Sequence, residues 1–135
     1  MDVKLKRVYE AAEPADGYRI LVDRLWPRGL SKERAALDLW LKEVSPSPEL
    51  RKRWHQGNEP WQHYADEYRE ELKTNPAVQT LLGLLAEHSG VSLLYGAADP
   101  EHNHARVLLS HLEALGDLEA LGDLEALGHP GGLAN

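Results

Sequence analysis

Val3, Leu5 and, after a one-residue slip, Val8 stand against Lys4, Lys6 and Arg7. That period of two predicts a first strand over 3–9 with one exposed face. The stretch "EPADG" (13–17) reads as a turn, with Gly17 free to take positive φ. "YRILVDRL" (18–25) follows as a short, nearly continuous apolar run, the pattern of a strand buried on both faces. Ser31 is a capping residue and predicts a short helix over 31–37. From 37 to 44, Leu37, Leu39 and Leu41 alternate with Asp38, Trp40 and Lys42, which fits a strand better than a helix.

The pattern then becomes helical. Ser47 and Pro48 occupy N-cap and first-turn positions of one helix. Trp61, Tyr64, Tyr68 and Leu72 recur at spacings of three and four on the next. Asn75-Pro76 ends that helix and begins another on Val78, Leu81, Leu82 and Leu85, with Gly90 expected as its C-terminal cap. "VSLLYGAA" (91–98) is the second strongly apolar strand, and Asp99-Pro100 is expected to start a helix near Glu101.

Strands alternating with helices predict an α/β fold: a small, mainly parallel sheet flanked by helices, a Rossmann-like layered single domain. The connection from 10 to 17 is short for a crossover, which leaves the direction of the first strand open, antiparallel pairing with strand two being one alternative. In open α/β sheets a ligand sits beyond the carboxyl ends of the strands. Both unusual polar stretches, "DRLWPRG" (23–29) and "GAADPEHNH" (96–104), follow such ends.

The α/β domain is expected over 1–113, and 114–135 as a repeat tail outside the core. The tail carries "LEALGD" repeats. Six residues turn a helix by about 600°, so each repeat is rotated by roughly 240° from the last. Its leucines therefore point in six directions, and Gly116, Gly122 and Gly128 each weaken a helix by about 1 kcal/mol. A tail helical at first and then frayed is one reading, and a homo-oligomer contact through its leucines is the other.

Charge narrows the function classes. The net charge is −7, but residues 1–60 hold 12 Lys/Arg against 10 Asp/Glu while 61–135 hold 3 against 12. An acidic whole argues against broad nucleic-acid binding and leaves room for a local cationic pocket in the first half. Cysteine is absent, which excludes disulfides, a thiol nucleophile and thiolate metal sites and suits a cytoplasmic location. No apolar run reaches the roughly 18 residues of a membrane span. The first ten residues lack the apolar stretch of a secretory signal. No phosphate loop, dinucleotide fingerprint or zinc-protease motif occurs.

The candidate chemistry lies in the two strand-end stretches. Arg24 and Arg28 can each grip a phosphate or carboxylate with two parallel hydrogen bonds. Asp23 could orient one of them, and Trp26 offers a face for a planar ligand. The plainer reading is an ion pair of Asp23 with an arginine beneath a core tryptophan. Asp99 is most simply an N-cap; His102, Asn103 and His104 fall in the first helical turn, where free N–H groups favour an anion. His102 or His104 could carry a proton near neutral pH. Two residues apart on a helix, the two histidines diverge, so no metal site is expected. "SPSPE" (45–49) reads either as a capped helix or as a source of a hydroxyl and amides for the site.

"DGYRILVDRLWPRGLSKE", "LDLWLKEVSPSPELRKRW", "YREEL" and "LLYGAADPEHNHARVL" together resemble the YeaO-like branch of the domain-of-unknown-function 488 superfamily, over roughly residues 3–113. The resemblance implies an α/β domain whose strand-end loops form one pocket, and it brings no settled activity or cofactor. Many members of the wider superfamily carry a cysteine at the end of the last strand. Tyr95 stands at that place here, so thiol chemistry does not transfer.

The leading expectation is a cytoplasmic protein binding a phosphate-bearing or otherwise anionic small molecule. Arg24 and Arg28 hold the anion, while Trp26, Trp40 and Tyr95 wall the pocket beside Asp99 and Asn103. If it is an enzyme, His102 or His104 moves the proton and Asp23 or Asp99 orients it, for hydrolysis or group transfer. The rivals are a binder of nucleic-acid ends or single strands and a non-catalytic interaction module. No membrane partner is expected.

Overall fold

The computed structural model describes residues 2–128, with side chains through Gly116. Four strands, β1 (Val3–Arg7), β2 (Tyr18–Leu21), β3 (Leu39–Trp40) and β4 (Val91–Tyr95), form one sheet in the order β1-β4-β2-β3. Every pairing is parallel. The helices are α1 (Lys32–Ala35), α2 (Pro48–Gln56), α3 (Trp61–Lys73), α4 (Ala77–Glu87) and α5 (His104–Gly128). Among the described residues, no helix is long and apolar enough to cross a membrane.

The two near-continuous apolar runs are the two central strands, β2 and β4, because only a central strand buries both faces. Ile20, Val22 and Leu93 point into the larger core with Tyr64, Tyr68, Leu81 and Leu108 of the helical layer. Leu21 and Leu94 point the other way, into a smaller cluster with Val8, Leu30 and Ala35.

Strand one, its direction left open by the sequence, is parallel. It pairs with β4 in the register Val3–Val91 to Arg7–Tyr95, and does not touch β2. A helix is not needed to return the chain. Two strand spacings and a five-residue strand separate the ends by about 19 Å, and ten extended residues reach about 33 Å. The connection turns through a short 3-10 segment (Pro14–Asp16) and is pinned to the sheet by Asp16. That buried carboxylate accepts Lys6 Nζ at 2.9 and 3.1 Å, the Glu13 amide at 2.9 Å and the Arg19 guanidinium, while its carbonyl takes Ser92 Oγ at 2.7 Å. Burial alone would push the Asp16 carboxyl up, but the Glu13 amide, Lys6 and Arg19 outweigh it and hold it at about 2. Gly17 is required at the end of this connection. Its φ is +68°, and a Cβ there would lie 2.3 Å from the Gly90 carbonyl oxygen.

Gly90 is not the cap of α4. That helix ends at extended His88, and Gly90 instead gives its carbonyl to the Tyr18 amide at 2.9 Å. The strand expected over 37–44 shrinks to Leu39–Trp40, then turns through Lys42–Val44. The last helix starts three residues later than Glu101. Asn103 is its cap, its Oδ1 accepting the Arg106 amide at 3.0 Å, while Asp99 Oδ1 accepts the amides of Glu101 and His102 in the preceding bend. The helix continues through Gly128, Leu112 is fully buried, and Leu115 packs against the larger core. The packing of the remaining tail leucines, and any oligomer contact through them, lies outside the described residues.

Candidate functional site

The carboxyl ends of all four strands open into one cavity of about 370 Å³. Tyr9 follows β1, Asp23 to Arg28 follow β2, Ser45 and Pro46 follow β3, and Gly96 and Ala97 follow β4. Helices α2 and α3 form the opposite wall, and Asn103 and His104 close it where α5 begins. A parallel sheet places these loops together because every strand points the same way.

Of the residues singled out in the sequence, Asp23, Arg24, Trp26, Arg28, His102, Asn103 and His104 converge on this cavity. Trp40, Tyr95 and Asp99 do not line it. Trp40 sits behind the loop, donating its indole N–H to the Asp23 carbonyl at 2.7 Å and meeting Trp26 edge-on at 5.4 Å. Tyr95 alternates with Leu94 along β4, so its ring enters the larger core. Asp99 holds its bend, and the Glu101 and His102 amides keep its carboxyl below the usual range. Trp26 lines the cavity, but its own N–H goes to the Leu30 carbonyl at 2.6 Å, which fastens the loop. The serine hydroxyls of 45–49 also serve the fold. Ser45 Oγ donates to Lys42, and Ser47 Oγ caps α2 while donating to Glu71 at 2.6 Å.

Asp23 does not pair with an arginine. Its Oδ2 accepts the Gly96 amide at 2.9 Å, and its Oδ1 lies 3.2 Å from His104 Nε2. That oxygen is buried without a hydrogen bond of its own. The reason is the neighbouring Val22 carbonyl, 3.0 Å from the same Nε2. A carbonyl only accepts, so Nε2 carries the proton and directs it there, leaving Oδ1 near but unaligned. Tyr68 donates to the Val44 carbonyl at 2.6 Å. Burial first, then the Glu71 and Asp23 charges, push its hydroxyl well above the ordinary value.

Among the described residues, the arginines at this cavity make no carboxylate contact. Arg24 donates through Nε to the Pro46 carbonyl at 3.2 Å and, at 3.5 Å, to Ser45. Its other three N–H groups have no protein acceptor among the described residues. Arg28 is exposed and Arg51 half-buried, and neither guanidinium has an acceptor among the described residues. Elsewhere the pattern is different. Arg19 is fully engaged in the core, and Arg53 is clamped by Glu59 and Glu67 at 2.7 Å each. Arg51, Trp54, His55 and Trp61 were missed as site residues because the helical pattern marks faces and does not say which end of the sheet a helix covers. The signal was there in part: Arg51, Trp54 and His55 are three and four apart on α2.

The family model described as the inactive DUF488-N3 subclade matches residues 2–126. The chain belongs to that subclade. It is 44% identical to the "Uncharacterized protein YeaO" of Escherichia coli (strain K12), over 85% of this chain and all of that one. It is 39% identical to the "Uncharacterized protein Rv3073c" of Mycobacterium tuberculosis (strain ATCC 25618 / H37Rv) and to "Uncharacterized protein Mb3100c" of Mycobacterium bovis, over 78% of this chain and 89% of each. No solved structure matches it. The YeaO-like resemblance read from the two strand-end motifs thus stands.

Proposed function

We propose that this DUF488-N3 chain is a cytoplasmic binding protein whose strand-end cavity holds a phosphate-bearing or otherwise anionic small molecule without transforming it. The observation that carries this reading is the state of Arg24. A half-buried guanidinium with three unused N–H groups at a concave site is an incomplete anion clamp, and Arg28 and Arg51 add like charge beside it. Three cations without a carboxylate partner among the described residues repel one another, and a bound anion removes that cost.

Binding is favoured over turnover by two features. The Nε2 proton of His104 is directed at a backbone carbonyl and not toward a nucleophile. The family description itself reads "inactive". Titrating the full chain calorimetrically with inorganic phosphate and ribose 5-phosphate tests the proposal. Saturable binding that Arg24→Ala abolishes is the expected result. Equal binding by Arg24→Ala, or no binding of any anion, would remove this function.

A further inference from the structure

Trp26 and Trp40 have their indole N–H groups taken by the carbonyls of Leu30 and Asp23. The opposite wall carries two tryptophans in a different state. Trp54 and Trp61 line the cavity half-buried, and neither indole N–H has a protein acceptor among the described residues. They meet edge-on at 4.8 Å and 67°, and Trp54 meets Tyr64 at 5.0 Å and 68°. Each edge-to-face contact covers one face of one ring only, so it does not cover the remaining faces.

His102 stands over one of those faces. Its ring is within 24° of parallel to Trp61, but the centroids are 5.5 Å apart. The Tyr18–His88 pair in the same protein stacks at 3.9 Å and 13°. His102 belongs to the bend between β4 and α5, and its side chain is 54% exposed. A loose, nearly parallel pair on a bend is a clamp that can open for a third ring. Leu25, at the same cavity, is the one strongly exposed large apolar residue among the described residues, and gives a flat apolar group a further contact. Arg51 precedes Trp54 by three residues on α2, so cation and indole lie on one helix face.

We infer that the ligand carries a heteroaromatic ring beside its phosphate, the chemistry of a nucleotide, with Trp61 and His102 holding the ring and Arg51 and Arg24 the phosphate. This rests on the anion-binding reading of the same cavity. Two sources offer that chemistry, a free mononucleotide and the 5′ end of a single strand. The net charge of −7 favours the free molecule.

The experiment uses the full chain and four probes: inorganic phosphate, ribose 5-phosphate, adenosine monophosphate and a 5′-phosphorylated tetranucleotide. Stacking on an aromatic side chain predicts that the mononucleotide binds about ten- to a hundredfold tighter than ribose 5-phosphate. Trp61→Ala and, separately, His102→Ala should erase that advantage while inorganic phosphate binds as before. Equal affinity for the ring-bearing and ringless phosphates overturns the inference and leaves the anion site standing. Failure of every probe, inorganic phosphate included, overturns both. A tetranucleotide that binds no tighter than the mononucleotide upholds the free ligand; one that binds tenfold tighter or more overturns that choice of source.

Discussion

Asp23 joins the end of β2 to the end of β4 through Gly96, its Oδ2 accepting the Gly96 amide at 2.9 Å. The contact also leaves almost no room, since a Cβ on Gly96 would stand 3.1 Å from that oxygen. This charge-assisted hydrogen bond ties the two loops at the cavity floor, and Arg7 holds the Gly96 and Ala97 carbonyls from the β1 side. Asp23→Ala should lower stability by about 1.5–3 kcal/mol, the range for a hydrogen bond to a charged group. Gly96→Ala should cost about 1–3 kcal/mol by overpacking. Urea unfolding of both variants measures this, and wild-type midpoints in both would show that the link carries no stability.

The arginines divide by environment. Arg28→Ala removes an exposed cation without a carboxylate partner, so stability should stay within about 0.5 kcal/mol of wild type while phosphate affinity falls. Arg19→Ala takes one of two cations off buried Asp16, which keeps Lys6, and also unpairs the Ala35 and Ala36 carbonyls, so it should cost about 1.5–3 kcal/mol. Thermal unfolding of the pair tests the contrast. An Arg28→Ala protein that unfolds readily yet binds phosphate normally would reverse the assignment.

Acid should expose the role of Asp16. Its folded pKa of about 2 lies below the ordinary carboxyl value, about 3.9. A carboxyl depressed by folding contributes stability that is complete above the unfolded pKa. That contribution is lost as pH falls from about 4 toward 2. Carbon-detected NMR titration of the Asp16 carboxyl should show it ionised at pH 3 in the folded protein. A midpoint near 4 would mean that Lys6 and Arg19 do not hold the charge.

Gly17 should tolerate no side chain. Positive φ alone makes alanine costly by more than about 1 kcal/mol. Its Cβ would also meet the Gly90 carbonyl at 2.3 Å, and backbone on both sides prevents easy relief. Gly57, also at positive φ but with open space around it, is the control. Gly17→Ala should lose far more in unfolding midpoint than Gly57→Ala. Similar losses would show that φ, and not the close approach, sets the cost.

A chain ending at residue 116 should keep a cooperative unfolding transition, because Leu112 and Leu115 remain in place. A chain ending at residue 110 removes fully buried Leu112 and should lose most of that transition. Circular dichroism melts of the two truncations distinguish them. Loss of cooperativity in the longer one would make the repeat part of the core.

The local pattern located most of the strands and helices, because burial on one face, both faces or a helical stripe leaves a period in the residues themselves. It overextended β3 and began α5 three residues early. It also marked β2 and β4 as central and located the cavity loops, since abrupt polarity after a buried strand signals its end. The convergence of Arg24, Arg28 and His104 followed from that. The tertiary structure decided the rest. Strand order cannot be read from period, and β1 lies beside β4 across a connection held by Lys6, Asp16 and the sequence-distant Ser92. The same limit governed the tryptophans. In sequence Trp40 and Trp61 are equally aromatic, but β3 turns one behind the loop while α3 lays the other along the cavity wall. Which side chain meets a ligand depends on how elements far apart in the chain pack together, and no local period encodes that.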